Sequence, residues 1–324
     1  MLVGAFRGWN DGAQGASLAT SFLAQAWAAR RFANIDPEEF YDFQATRPHV
    51  ALEDGITRRI DWPDTVFYHA PIPGADRDAV LMLGIEPNLR WRTFCDEIVE
   101  LAGDLDVELV VTLGALLADV PHTRPAPVTG SASDQKLVEE LGLAASRYEG
   151  PTGIVGILHD SCRSAGLPSA SLWAAVPHYA SLAASPRAAL ALCERLAGLL
   201  GTEFDLGDLE RASAAYEQQV SEAVSADEET EAYVQELEAR RDALGDELDV
   251  PSGDSLAAEL TRFLREHEAR RAEEDEEEGR EAQRGAGRRG RPGRLGAVLF
   301  FVFLGAASLV LAQETRQLRG ERVS

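Results

Sequence analysis

The chain has 324 residues, enough for one large or two modest domains, and its 45% hydrophobic content can fill a real core. A formal net charge of -23 argues against a nucleic-acid binder. The charge is divided: nine Arg against three Glu give residues 279–324 a net of +6, which leaves -29 on residues 1–278.

The first predicted strand, Leu2 to Phe6, follows Met1 directly, so no secretory leader is expected. It runs into Gly8-Trp9-Asn10-Asp11-Gly12 and then a helix expected over Ala13 to Arg31, where Ala16, Ala19, Phe22, Leu23 and Ala26 recur at helical spacing. Gly8 and Gly12 suit positive φ, and Asn10 or Asp11 suits the helix cap. The free N–H groups of the first turn would then face whatever docks at the junction. Further strands are expected at Val66 to His69, Ala79 to Leu83, Leu109 to Leu113 and Ser171 to Val176. Further helices are expected at Arg92 to Asp104, Asp134 to Leu141, Gly153 to Ser164 and Pro186 to Leu200. This alternation predicts an α/β domain over residues 1–206, a mixed or parallel sheet flanked by helices.

From Gly207 the pattern changes. Leu209, Ala212, Tyr216, Val220 and Val224, then Val234, Leu237 and Leu244, mark an amphipathic helical pair. Pro251-Ser252-Gly253-Asp254 interrupts it before a last stripe of Leu256, Leu260, Phe263 and Leu264, so residues 207–271 read as a helical appendage. Residues 272–294 hold six consecutive acids and then a Gly- and Arg-rich stretch without large apolar residues, the composition of a disordered linker. Residues 295–312 are 18 residues without a charge, about 27 Å as a helix at ~1.5 Å per residue and within the range of a membrane span. Arg288, Arg289, Arg291 and Arg294 before it place the large domain in the cytoplasm, with residues 313–324 as a short tail beyond a C-terminal anchor. A buried or self-associating helix, or a product of gene fusion or frame slippage, are the other readings of the same run.

Chemistry-bearing motifs are sparse. Gly285-Ala286-Gly287-Arg288-Arg289-Gly290 has the letters of a dinucleotide fingerprint but no preceding strand. The six histidines and the widely spaced Cys95, Cys162 and Cys193 lack metal-ligand spacing, and the thiols read as reduced and cytoplasmic. No metal, cofactor or catalytic residue is assigned. The best constellation is Gly8, Trp9, Asn10, Asp11, Asp42, Gln44, Arg47, Glu86, Arg90 and Trp91, at strand ends and the loops after them, where open α/β sheets converge their ligand loops. An interface or loop-fixing ion-pair network, a site for an anion held by Arg47 and Arg90, and a catalytic site with Glu86 or Asp11 as acid or base are the three readings. Locally, Pro87 suits the opening of a helix, with Glu86 at its positive end.

Several motifs carry a resemblance. Gly4-Ala5-Phe6-Arg7-Gly8-Trp9-Asn10-Asp11-Gly12, Asp42-Phe43-Gln44-Ala45-Thr46-Arg47-Pro48, Trp62-Pro63-Asp64-Thr65, Gly84-Ile85-Glu86-Pro87-Asn88-Leu89-Arg90-Trp91-Arg92 and the run from Leu113 to Pro125 resemble, in order and spacing, the proteasome assembly chaperone two family, in its actinobacterial branch. The resemblance implies a phosphorylase/hydrolase-like α/β fold and a homo-oligomer that binds proteins, proteasome subunits among them, without turning over substrate. It stops before residues 295–312. The hydrophobic-Tyr-any tail by which some archaeal relatives dock on a proteasome ring is not matched by Arg322-Val323-Ser324. The alternative is a small-molecule enzyme on the phosphorylase-like fold.

Overall fold

The computed structural model describes residues 1–244, apart from 54–56, 133–134, 142 and 146–149. Strand β1 (Leu2–Arg7) lies at the centre of a sheet because its first five residues are buried whichever face they point to. Helix α1 (Gly15–Ala26) follows it, then β2 (Arg30–Ile35), a two-stranded ribbon of β3 (His49–Glu53) and β4 (Thr57–Asp61), β5 (Thr65–Pro71) and β6 (Asp78–Ile85). Next come α2 (Trp91–Asp104), β7 (Val110–Ala118), β8 (Val128–Ala132), α3 (Gln135–Leu141), β9 (Ala144–Ala145), α4 (Ile154–Ser164), β10 (Ser169–Pro177), α5 (Pro186–Leu200), α6 (Gly207–Val224) and α7 (Glu228–Leu244).

The main sheet has eight strands in the order β2-β5-β6-β1-β7-β10-β8-β9. Its middle, β6-β1-β7-β10, is parallel, while β5 joins β6, and β8 joins β10, antiparallel. This is the mixed, helix-flanked sheet expected. One face buries Leu2, Phe6, Met82 and Val110 under Phe94 and Ile98 of α2 and Ile154 and Leu158 of α4, with Phe6 and Phe94 rings 6.0 Å apart. The other face carries α1 and α5. Their close approach explains Gly15, where a Cβ would stand 2.8 Å from Ala188 Cβ and 3.1 Å from Ala115 Cβ.

The first helix is shorter than Ala13 to Arg31. Ala13 and Gln14 take left-handed φ of 46° and 54° ahead of it, and Ala28 at φ 50° lies just past its end. The chain then turns into β2, which opens on two Arg and buries only its last residue, Ile35, and so carries no buried-strand signature. Ser185 opens α5 by accepting the Ala188 N–H at 3.2 Å, with Pro186 in the first turn, and Gly201 at φ 64° closes it. Helices α6 and α7 pack as a pair around Tyr216, Val220, Val224 and Val234, with Tyr179, Ala180 and Ala183 of the β10–α5 connection against them.

Among the described residues no helix is long and apolar enough to cross a membrane. The expected helix near 254–271, the linker 272–294, the span 295–312 and the tail 313–324 lie outside the described residues.

Candidate functional site

At the carboxyl ends of β1 and β6 the chain breaks out of the sheet, and side chains from both strands meet. Glu86 is the centre of this meeting. Its Oε1 accepts Asn10 Nδ2–H at 3.2 Å and the Ile154 backbone N–H at 2.9 Å. Ile154 opens α4, and its N-cap is Gly153, which has no side chain to satisfy the first-turn donors. Glu86 therefore caps α4 from another strand, not a helix beginning at Pro87. Arg90 takes φ 55°, so the chain turns after Pro87 and α2 starts only at Trp91, whose Nε1–H donates to Pro87 O at 2.6 Å. The fit is tight: a Cβ on Gly153 would lie 2.8 Å from Glu86 Oε1, and one on Gly8, at φ 130°, 3.2 Å from Glu86 Cβ.

Asp11 sits beside this contact and is 7% exposed. Its Oδ1 accepts the Ala16 and Ser17 N–H groups at 2.9 and 3.1 Å, so Asp11 caps α1 and takes two of the donors expected to face a ligand. Desolvation pushes its carboxyl above the usual carboxylate range, and Oδ2 has no hydrogen-bond partner. Asn10, 1% exposed, gives its carbonyl to the Ala115 N–H at 2.9 Å and extends the β1–β7 pairing past the strand end. Trp9 is half-buried beside it.

Asp42 and Gln44 belong to a separate, exposed turn. Asp42 Oδ1 accepts the Gln44 N–H at 2.9 Å, while Asn88 Oδ1 accepts the Asp42 N–H and the Thr46 hydroxyl, both at 3.0 Å. Arg90 pairs with Glu39 and lies 5.8 Å above the Phe40 ring. Arg47 is exposed on the same turn. The ten candidates thus divide into a buried group around Asn10, Asp11 and Glu86 and an exposed group around Asp42, in which the Arg90 guanidinium is engaged by Glu39. Among the described residues no three His, Cys, Asp or Glu side chains assemble as a metal site. The three thiols are free and buried, and desolvation raises Cys95 to about 12 and Cys162 to about 11.

A second polar cluster, which the sequence did not announce, lies beyond the ends of β7 and β10 where α6 and α7 dock. His122, 1% exposed, places Nδ1 2.9 Å from Tyr179 Oη and Nε2 2.9 Å from Ser221 Oγ of α6. Asp119 Oδ1 accepts the Tyr233 hydroxyl of α7 at 3.0 Å and stands 3.2 Å from His178 Nδ1. Arg124 makes a bidentate pair with Asp242 at 2.8 and 2.7 Å, Thr123 donates to Glu238, and Arg187 joins Glu217 at 2.5 Å. The Pro121-His122-Thr123-Arg124-Pro125 motif was the available signal, since its polar residues interrupt an apolar run.

Fold and site together define a helix-flanked α/β protein whose strand-end contacts are made among its own side chains and whose C-terminal helical pair is held by hydrogen bonds and ion pairs. The chain belongs to the PAC2 family, whose model matches residues 5–224. It is similar to a Mycobacterium tuberculosis proteasome-assembly chaperone homologue, 46% identical with a TM-score of 0.66 over 72% of this chain and 99% of that one. A PAC2 family protein from Streptomyces avermitilis is also 46% identical, with a TM-score of 0.66 over 72% of this chain and 98% of that one. An archaeal proteasome activator from Pyrococcus furiosus, 15% identical with a TM-score of 0.56 over 68% of this chain and 92% of that one, shares the fold. No curated protein sequence matches the chain.

Proposed function

We propose that the protein is a non-enzymatic assembly factor or scaffold that binds protein partners, proteasome subunits among them. The observation that carries this reading is the engagement of Glu86: the carboxylate best placed for acid–base work at the strand ends is tied to Asn10 and to the first turn of α4. Self-association is part of the proposal. The ribbon β3–β4 exposes Val50, Leu52 and Ile60 at 61%, 64% and 51%, beside Trp62 at 49%, and a two-stranded ribbon is marginal in water unless its apolar face is covered. A second copy of the chain is the proposed cover. Residues 295–312 are proposed to anchor the assembly to the membrane, with the acidic body in the cytoplasm. Affinity capture of the full-length protein in mild detergent tests the central claim. Recovery of proteasome subunits or another defined complex is expected; recovery of nothing but its own subunits overturns it.

A second reading, an enzyme on a phosphorylase-like fold, draws on the buried, unpartnered Asp11 Oδ2 beside the left-handed Ala13 and Gln14. It requires a saturable thermal shift with a nucleoside or phosphate that Asp11→Asn abolishes.

A further inference from the structure

His122 stands where the β7–β8 connection, the β10–α5 connection and α6 meet, with a partner on each ring nitrogen. The His122 backbone N–H donates to Tyr179 Oη at 2.8 Å. Tyr179 Oη, 2.9 Å from His122 Nδ1, can donate to that nitrogen or accept from it, and Ser221 Oγ, 2.9 Å from Nε2, takes the complementary role, so the neutral ring is satisfied in either tautomer. The ring is neutral, nearly inaccessible, and satisfied on both nitrogens.

We propose that His122 is a proton-operated latch on the α6–α7 helical pair: the neutral ring holds the pair against the β7 and β10 ends, and uptake of a second ring proton releases it. A second ring proton makes both nitrogens donors, so Tyr179 Oη, which already takes the backbone N–H, and Ser221 Oγ must both accept and send their own protons elsewhere. It would also place a charge where water does not reach. The charged groups around the ring do not remove that penalty. Glu217 on α6 is paired with Arg187 of α5, Glu238 on α7 takes Thr123 and stands 3.6 Å from Arg124, and Arg187 itself opposes a cation. Burial accordingly holds the His122 imidazole below its ordinary value.

The sign follows from linkage. The released state binds the proton with the ordinary His affinity, near pH ~6.5, and the docked state binds it more weakly. Docking is thus fully held above that pH and weakens as pH falls below it, by up to about tenfold in the docked-to-released ratio per pH unit.

Hydrogen exchange on the full-length protein at pH 7.5 and 5.5, corrected for the intrinsic pH dependence of exchange, reads this directly. Amides of Gly207–Leu244 are expected to lose up to about tenfold more of their protection at the lower pH than amides of β1, β7 and β10, which share only the change in global stability. His122→Gln, neutral at both values, should abolish the difference, while Ser221→Ala, which keeps the titrating ring, should retain it. A loss in Gly207–Leu244 no greater than that in the core strands, or an excess loss there that survives His122→Gln, overturns the proposal.

Discussion

Two side chains in the strand-end contact, Asp11 and Glu86, act as backbone satisfiers, and each can be removed singly. Asp11→Ala leaves the Ala16 and Ser17 N–H groups without their acceptor and should cost about 1–2 kcal/mol. Asp11→Asn keeps one acceptor oxygen and loses a buried charge, so its loss should be smaller; urea denaturation of the two variants checks the order. Glu86→Ala unpairs both Asn10 Nδ2 and the Ile154 N–H, and about 1–3 kcal/mol is expected. His159 supplies a pH dependence of global stability. Its Nε2 lies 2.9 Å from Thr112 Oγ1, and desolvation lowers it to about 4. The unfolded chain therefore takes the proton first, so stability is held above pH ~6.5 and falls as pH drops from there toward 4. Thermal melts of His159→Gln should show a shallower decline across that window.

Elements differ in how openly their sequence declares them. The central strands and α5 were legible because continuous apolar runs mark buried parallel strands and Ser185-Pro186 marks a helix start. Strand β2 was not, because an exposed edge strand needs no apolar alternation and the Ala-rich α1 carries its helical pattern to the boundary. Glu86 was visible as a strand-end carboxylate, but its bond to Ile154 N bridges 68 positions, which no local pattern encodes. The network around His122 was hidden for the same reason, being drawn from several distant segments. The β3–β4 ribbon was missed as short, half-polar strands, and its exposed face carries a prediction: Val50→Asp with Ile60→Asp should shift the protein to a smaller species in sedimentation velocity. An unchanged sedimentation coefficient would place self-association elsewhere.

At the scale of the molecule, charge separates from structure. The body holds -29 over residues 1–278 and the last 46 residues hold +6, with the uncharged run 295–312 inside the basic part. Arg288, Arg289, Arg291 and Arg294 would meet the anionic cytoplasmic leaflet, each adding about 1 kcal/mol near the surface. Truncation after residue 294 is expected to move the protein from the membrane to the soluble fraction of a cell lysate. Full-length protein found only in the soluble fraction would remove the anchor from the proposal.

The Glu86 contact has a kinetic meaning as well. Its partners are 76 and 68 residues away along the chain, so β1, β6 and α4 must already be in place before the carboxylate can bridge them. Such a bond is expected to form on the downhill side of the folding barrier. Glu86→Ala should leave the refolding rate nearly unchanged and raise the unfolding rate, a change in one chevron limb only. The carboxylate is then a brake on opening, setting how long the assembled sheet and α4 stay joined.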